Sequence, residues 1–543
     1  MKRIAYTIGL VLLLGLLSDR SAGAQSEPMG VQDLLPSPGI LLNSITNLHA
    51  ENGALWVGPF LNVTLDGGAT WKVADADSLQ GMRNRVYSID VEGDVIWVGL
   101  GIAEQRVIDG STKDVDIAHG FLVSRDGGAT WDYRPVLAPV DNDPLTTGFL
   151  DLPDDTLITY GGVELRTLAI TIPELSPPWD IAYDAANDQV WTAGQLNGIR
   201  TSADGGRTWS RIVLPPDTTR YLSPELGYDF PFYVQPVNVS IDQFQGLNFQ
   251  AYSVLVDEAG RVWAGTVGGL NRSLDRGLSW TRYDVSDGFT GNWVISIEEQ
   301  RRVGRDPAIW AATWPGRIRE GTPSRHGVVV TRDGGDSFEA MLSGEKVWDF
   351  AFDGPRIYAA GEHGLFVSED DGQTFRTIRD FHDPTQPDHT FRPGSPVYSV
   401  EVAESGLWVG TSDGLFKSTD GGFTWRAFRA LVPLSPQGLP KLVPPERVPT
   451  VDTYAYPNPF SPSSDRLVRI RYKLEGNAAV TIHIFDFAMN LIRDLTDEQQ
   501  FGGEREVSWD GTDDRGTRIA NGTYFYHVQV ESRTFWGKIL IVD

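Results

Sequence analysis

Short runs of alternating apolar and polar residues recur along most of the chain. Val86-Tyr87-Ser88-Ile89, Tyr252-Ser253-Val254-Leu255-Val256, Val347-Trp348-Asp349-Phe350 and Val397-Tyr398-Ser399-Val400 all repeat with period two, the spacing of a strand with one face buried. A second element follows, an aromatic among small and β-branched neighbours. Its copies are Trp56-Val57-Gly58, Trp97-Val98-Gly99, Trp191 to Gly194, Trp263-Ala264-Gly265, Trp310 to Thr313, Tyr358 to Gly361 and Trp408-Val409-Gly410.

Behind each copy stands a third element: Ser or Thr, any residue, Asp, any residue, Gly, any residue, Thr or Ser, then Trp or Phe. It begins at Thr64, Ser124, Ser202, Ser273, Thr331, Ser368 and Ser418, with aspartates at Asp66, Asp126, Asp204, Asp275, Asp333, Asp370 and Asp420. An Asp side chain accepts backbone N–H bonds from residues just ahead of it, and the glycine supplies the positive φ of a compact turn, so these aspartates have a structural task. Each unit then reads as four antiparallel strands, A to D, with the Asp turn between C and D. Seven such units predict an all-β fold, a seven-bladed β-propeller, because one blade cannot bury both faces of its sheet and a ring lets the last cover the first.

Over residues 44–428 this pattern resembles the Asp-box, or BNR, repeat, and residues 251–280 and 291–297 also resemble the propellers of two-component sensors. Asp boxes occur in sialidases, sortilin-type receptors, xyloglucanases and photosystem II assembly factors, so the resemblance implies an architecture and leaves activity open.

Strand alternation places the A–B and C–D turns on one face of the ring and the B–C loops and D–A crossovers on the other. The long insertions, 100–119, 135–178, 214–250, 314–326 and 379–396, all fall on that second face, which is expected to carry the binding site. Arg106, Tyr228, Tyr233, Trp293, Trp314, Arg317 and Arg319 are its candidate ligand residues: the aromatics for stacking on a sugar or clamping a peptide, the arginines for a carboxylate.

Lys2 and Arg3, the apolar run from Ile4 to Leu17 and the small residues Ala22 and Ala24 predict a signal peptide over 1–24. No later stretch is apolar enough to span a membrane, so a secreted or outer-surface location is expected. The formal charge of −26 disfavours nucleic acid as a partner, and the absence of cysteine removes disulfides and thiol chemistry. His382 and His389 stand in a proline-containing turn that reads as exposed loop, so neither a metal nor a cofactor is expected. A catalytic carboxylate pair cannot be selected from 72 acidic residues, and no Arg-Ile-Pro-type sialidase signature stands near the first blade.

A segment at 25–43 precedes the propeller, and six prolines between residues 429 and 453 predict an extended linker. Beyond it, strands are expected at Leu467 to Leu474, Ala479 to Phe485, Arg505 to Trp509, Gly522 to Glu531 and Phe535 to Val542, a small sandwich over 454–543. Tyr456-Pro457-Asn458-Pro459-Phe460-Ser461-Pro462, Trp509-Asp510-Gly511 and Asn521-Gly522-Thr523-Tyr524-Phe525-Tyr526 resemble the Ig-like domain of flagellar hook-capping proteins and of type IX sorting domains. That resemblance implies export machinery as a partner and surface attachment or release. The whole reads as a non-catalytic binding protein for a glycan, peptide or protein. A glycoside hydrolase is the alternative from another class, and an envelope assembly factor the third.

Overall fold

The computed structural model describes residues 35–37, 39–73, 85–108, 111–135, 156–167, 173, 175–226, 246–316, 324–384, 391–392, 394–430, 452–463 and 465–543. Seven antiparallel sheets form a propeller, and two more form the C-terminal domain. The A strands are Leu48–Glu51, Arg85–Glu92, Asp180–Asp184, Ala251–Val256, Trp293–Gln300, Val347–Asp353 and Val397–Ala403; they pack side by side around a central channel.

The Asp turns repeat one set of hydrogen bonds. In the last of them the Asp420 carboxylate accepts the Thr424 N–H at 2.9 Å, the Thr424 hydroxyl at 2.6 Å and the Ser418 hydroxyl at 2.7 Å. The threonine bonds, side chain first, hold the Asp66 and Asp420 carboxyls down at about 2, so both stay ionised acceptors far into acid.

The strand-B aromatics and the Asp-turn glycines turn out to be two halves of one contact. A Cβ on Gly128 would lie 2.7 Å from the Trp56 ring of the preceding blade, one on Gly206 2.9 Å from Trp97, and one on Gly335 3.0 Å from Trp263. Trp191 meets Gly277, Trp310 meets Gly372, and Trp408 of the last blade meets Gly68 of the first. The glycine is therefore fixed twice, by its left-handed φ and by an indole lying where a side chain would stand. Each such Trp is almost wholly buried, and the hydrophobic clusters lie between blades rather than within them.

The two faces are distinct. Gly127 of one Asp turn donates to Asp94 of an A–B turn at 2.9 Å, whereas on the other face Ala118 of a B–C hairpin donates to Pro173 of a crossover at 2.7 Å. The insertions hold more structure than loops would. Residues 100–119 extend strands B and C of the second blade into one hairpin, Val95–Ile108 with Ser111–Ser124. Within 135–178, Thr156–Tyr160 and Val163–Thr167 form a hairpin whose Tyr160 hydroxyl donates to Leu278, in the Asp turn of blade 4, at 2.6 Å. This part of the insertion, expected wholly on the opposite face, therefore packs its apolar side chains at the outer rim and reaches an Asp turn. Tyr221–Leu222, in the 214–250 insertion, adds a fifth strand to blade 4, and Leu35–Ser37 of the expected N-terminal segment does the same for blade 1.

The C-terminal domain is a sandwich of a three-stranded and a four-stranded sheet around Ile470, Tyr472, Val480, Ile482, Trp509 and Val528. Its strand Leu491–Gln500 was not expected. It lies at a sheet edge, mostly exposed and rich in charge, so it carries a weak apolar alternation. Asp510 and Asp513 accept the Thr512 and Thr517 N–H groups, forming a turn of Asx bonds. The domain packs against the last blade. A cleft of about 420 Å³ at the junction is lined by Asp380, His382 and Phe391 on one side and by Arg493, Trp509 and Asp510 on the other.

Candidate binding site

The A strands of blades 2 to 7 enter the channel from the loop-rich face, because each follows a D–A crossover. Their first residues therefore line the mouth. At this level five blades carry a bulge in the A–B pairing; the bulged residue is Ile295 in blade 5 and an aromatic, Tyr87, Tyr252, Trp348 or Tyr398, in the other four. A bulge turns its side chain out of the regular alternation. Here the four aromatics point into the mouth, where each is half-buried.

Trp179, Trp293 and Trp314 fill the places between. Ring centroids run from Tyr87 to Trp179 at 5.2 Å, on to Tyr252 at 5.9 Å, to Trp293 at 5.1 Å and to Trp314 at 5.4 Å. The arc continues to Trp348 at 6.4 Å and Tyr398 at 5.3 Å. Seven aromatic residues thus form an open collar, running from blade 2 round to blade 7 in edge and stacked contact. Lys346 lies 4.5 Å from the Trp314 ring centroid and 5.1 Å from that of Trp348. The Tyr87 hydroxyl donates to Asp116 of the long hairpin at 2.8 Å, fastening that arm beside the mouth.

One to three residues further along the A strands come carboxylates. Asp90 accepts the Tyr183 N–H of the next blade at 2.6 Å, Asp180 that of Val254 at 2.9 Å, and Asp349 that of Val400 at 2.9 Å. Burial in the lumen raises their carboxyls, to about 6 for Asp90, about 8 for Asp180 and about 7 for Asp349, against the backbone bonds that pull the other way. Glu298 and Glu401 are also raised well above the ordinary range, by burial first and then by repulsion from Asp349. The mouth is therefore an arc of aromatics above acidic groups whose carboxyls titrate above the ordinary range, with Asp180 still largely protonated at neutral pH.

These raised values fix a sign. Asp180 binds its proton more tightly in the folded ring than in the unfolded chain, so it costs nothing in acid and costs more as pH climbs from 3.8 to about 8. Asp180→Asn keeps an oxygen for the Val254 N–H without the charge. Its melting temperature is expected to exceed wild type by a few degrees at pH 8 and to lose that advantage near pH 4. An equal difference at both pH values would show that the carboxyl ionises as in water.

Of the residues expected from sequence, Trp293 and Trp314 are brought together in the collar. Trp314 is buried, its indole N–H donating to Val347 at 3.0 Å, so it supports the collar from behind and is corrected from a ligand-facing residue to a packing one. Arg106 lies on the distal part of the long hairpin, its backbone paired with Lys113. Tyr228, Tyr233, Arg317 and Arg319 lie outside the described residues. Tyr87, Trp179, Tyr252, Trp348 and Tyr398 were missed. Their signal was an aromatic followed by Ser or Asp at the head of five of the seven A strands.

Residues 461–534 match the family model of the FlgD Ig-like domain. The chain is a propeller carrying a FlgD-like Ig-like tail. No curated protein matches it. Among solved structures it is similar to PorZ, an essential bacterial surface component of the type IX secretion system of Porphyromonas gingivalis, at 13% identity and TM-score 0.30, covering 92% of this chain and 81% of that one. It is also similar to YCF48 from Cyanidioschyzon merolae, at 16% identity and TM-score 0.37, covering 71% and 97%. The GH74 enzyme of Niastella koreensis aligns at 11% identity and TM-score 0.40, covering 95% and 74%. Likenesses at this level carry no information on activity. Among the described residues no helix is long and apolar enough to cross a membrane.

Proposed function

We propose that the protein is an exported, non-catalytic binding protein that takes a glycan end into the aromatic mouth of its propeller. The observation that carries this reading is the collar: half-buried Tyr and Trp faces supply stacking area, and carboxyl oxygens just inside supply acceptors and donors for hydroxyl groups. The acidic chain disfavours anionic glycans, which points to neutral or basic sugars. Export rests on the residue pattern of positions 1–24, and surface attachment or release on the Ig-like tail.

The paired variant Trp179→Ala with Trp348→Ala is expected to weaken binding at least about tenfold on an array of neutral and amino-sugar glycans, since each lost stacking contact is worth about 1 kcal/mol. Its melting temperature should change far less than that of a variant between blades. Equal binding by variant and wild type counts against the collar. Selective retention on a peptide array would make the partner a polypeptide, and release of reducing ends from a polysaccharide panel would replace binding by hydrolysis.

A further inference from the structure

We propose that the C-terminal Ig-like domain is the clasp of the propeller, docking on the seam between the first and last blades and holding the ring closed. Six of the seven blade junctions are crossed by the chain itself, as strand D of one blade leads into strand A of the next. The seventh is not. Blade 1 draws its four inner strands from residues 48–73 and blade 7 its four from 397–428, and among the described residues neither contributes a strand to the other. Opening at this junction therefore meets no covalent restraint.

Among the described residues, what crosses the seam is side-chain packing and hydrogen bonds alone: Ile45, Leu48, Leu55 and Val57 cluster with Trp408 and Leu415, the Ser399 hydroxyl donates to Ile45 at 3.2 Å, and Lys417 donates to Gly67 at 2.9 Å. Ile45 N–H donates to Thr411 at 2.9 Å, and Gly414 N–H to Asn43 at 2.7 Å. The Asn43 side chain clamps Ala430, accepting its N–H at 2.7 Å and donating to its carbonyl at 3.1 Å. Trp71 meets Trp408 and Phe428 at 6.3 and 5.7 Å.

The Ig-like domain grips the two residues adjacent to that clamp, Asp413 beside Gly414 and Arg429 beside Ala430. Asp413 pairs with Arg429 at 3.2 Å and with Arg469 of the Ig-like domain at 2.6 Å; Glu506 of the Ig-like domain pairs with Arg469 at 3.2 Å and reaches Arg429 at 3.6 Å. Positive and negative groups alternate around this four-membered circuit, two from each domain. All four side chains are at most 7% exposed. Arg471 joins from the Ig-like side, pairing with Glu504 and facing Glu506. A neutral, water-excluded circuit with one member of each sign on either domain is a fitted interface; a tail swinging on a linker would leave these charges in water. The residue pair Arg429–Ala430, expected to open a linker, belongs instead to the seam and its clasp.

The test uses the full chain with a specific protease site placed within 431–451. After cleavage the two pieces are expected to co-elute, and the amides of Ile45, Gly414 and Ala430 to keep their protection from hydrogen exchange. With Arg469→Glu in the same cut chain, the Ig-like piece should separate. The seam amides should then exchange about tenfold faster or more, while those of Val262–Thr266 in blade 4 stay unchanged. If amides of the Ig-like core at Ile482 and Val528 show that Arg469→Glu unfolds this domain, Asp413→Asn, which alters only the propeller side, is read in the same way. Separation of the cut wild-type pieces overturns the docking. Separation in either variant with unchanged seam exchange overturns the clasp.

Discussion

Trp263→Ala is expected to lower the unfolding free energy by about 3–5 kcal/mol. The side chain is fully buried between blades 4 and 5, among Leu270, Tyr283, Phe289 and Val294, with the Asp-turn Gly335 seated on its ring. Its indole N–H donates to Asp257 at 2.8 Å, so truncation removes a large apolar contact and also one bond to a buried carboxylate. Collapse cannot fill the space, because both walls are sheets held in register by their own ladders. Denaturant unfolding followed by circular dichroism measures the loss. Leu274→Ala, at a side chain 67% exposed, is the control and should stay within about 0.5 kcal/mol of wild type. A loss below about 1 kcal/mol for Trp263→Ala would mean that the blade interface does not carry the ring.

Glu506→Ala is expected to cost a similar amount, about 3–5 kcal/mol, by a different mechanism. Glu506 is buried, faces Arg429, Arg469 and Arg471, and accepts the Tyr456 hydroxyl. Removing it leaves three guanidinium groups to share Asp413 and Glu504 in a space that water does not enter. The cost is that of an uncompensated buried charge rather than of one lost attraction, so it should hardly change between low and high salt. Glu475→Ala breaks the exposed pair with Arg533 and should cost about 0–1 kcal/mol. If the two substitutions cost the same, the junction is wet and the circuit is a surface feature.

Much of this was legible in the residues. Seven copies of the Ser/Thr-x-Asp-x-Gly-x-Thr/Ser-Trp/Phe element encode local geometry, an Asp side chain bonded to nearby N–H groups and a glycine with positive φ, and local geometry repeats wherever its sequence repeats. The number of blades, the strand order within each and the division into two faces follow from it. The same holds for most of the Ig-like strands, where inward positions such as Val480, Ile482 and Ile484 alternate with outward ones. The edge strand Leu491–Gln500 escaped because an exposed edge has little reason to alternate.

The candidate site was half legible. Trp293 and Trp314 stood out as aromatics near a long insertion, but Tyr87, Tyr252, Trp348 and Tyr398 sat within runs that looked like ordinary strand. What sent them into the mouth was a one-residue bulge, which shifts the side-chain phase and depends on the pairing of two strands.

By itself, then, the sequence determined the repeating unit, the count of units and the presence of a second sandwich, since each is marked by turn residues and strand alternation that are set within a few positions. The tertiary structure alone decided that Trp97 meets Gly206, that six aromatics from six blades line up along the mouth with Trp314 behind them, and that Arg429 finds Glu506. Those contacts join residues tens to hundreds of positions apart, and a burial pattern says that a residue is covered without saying by which partner.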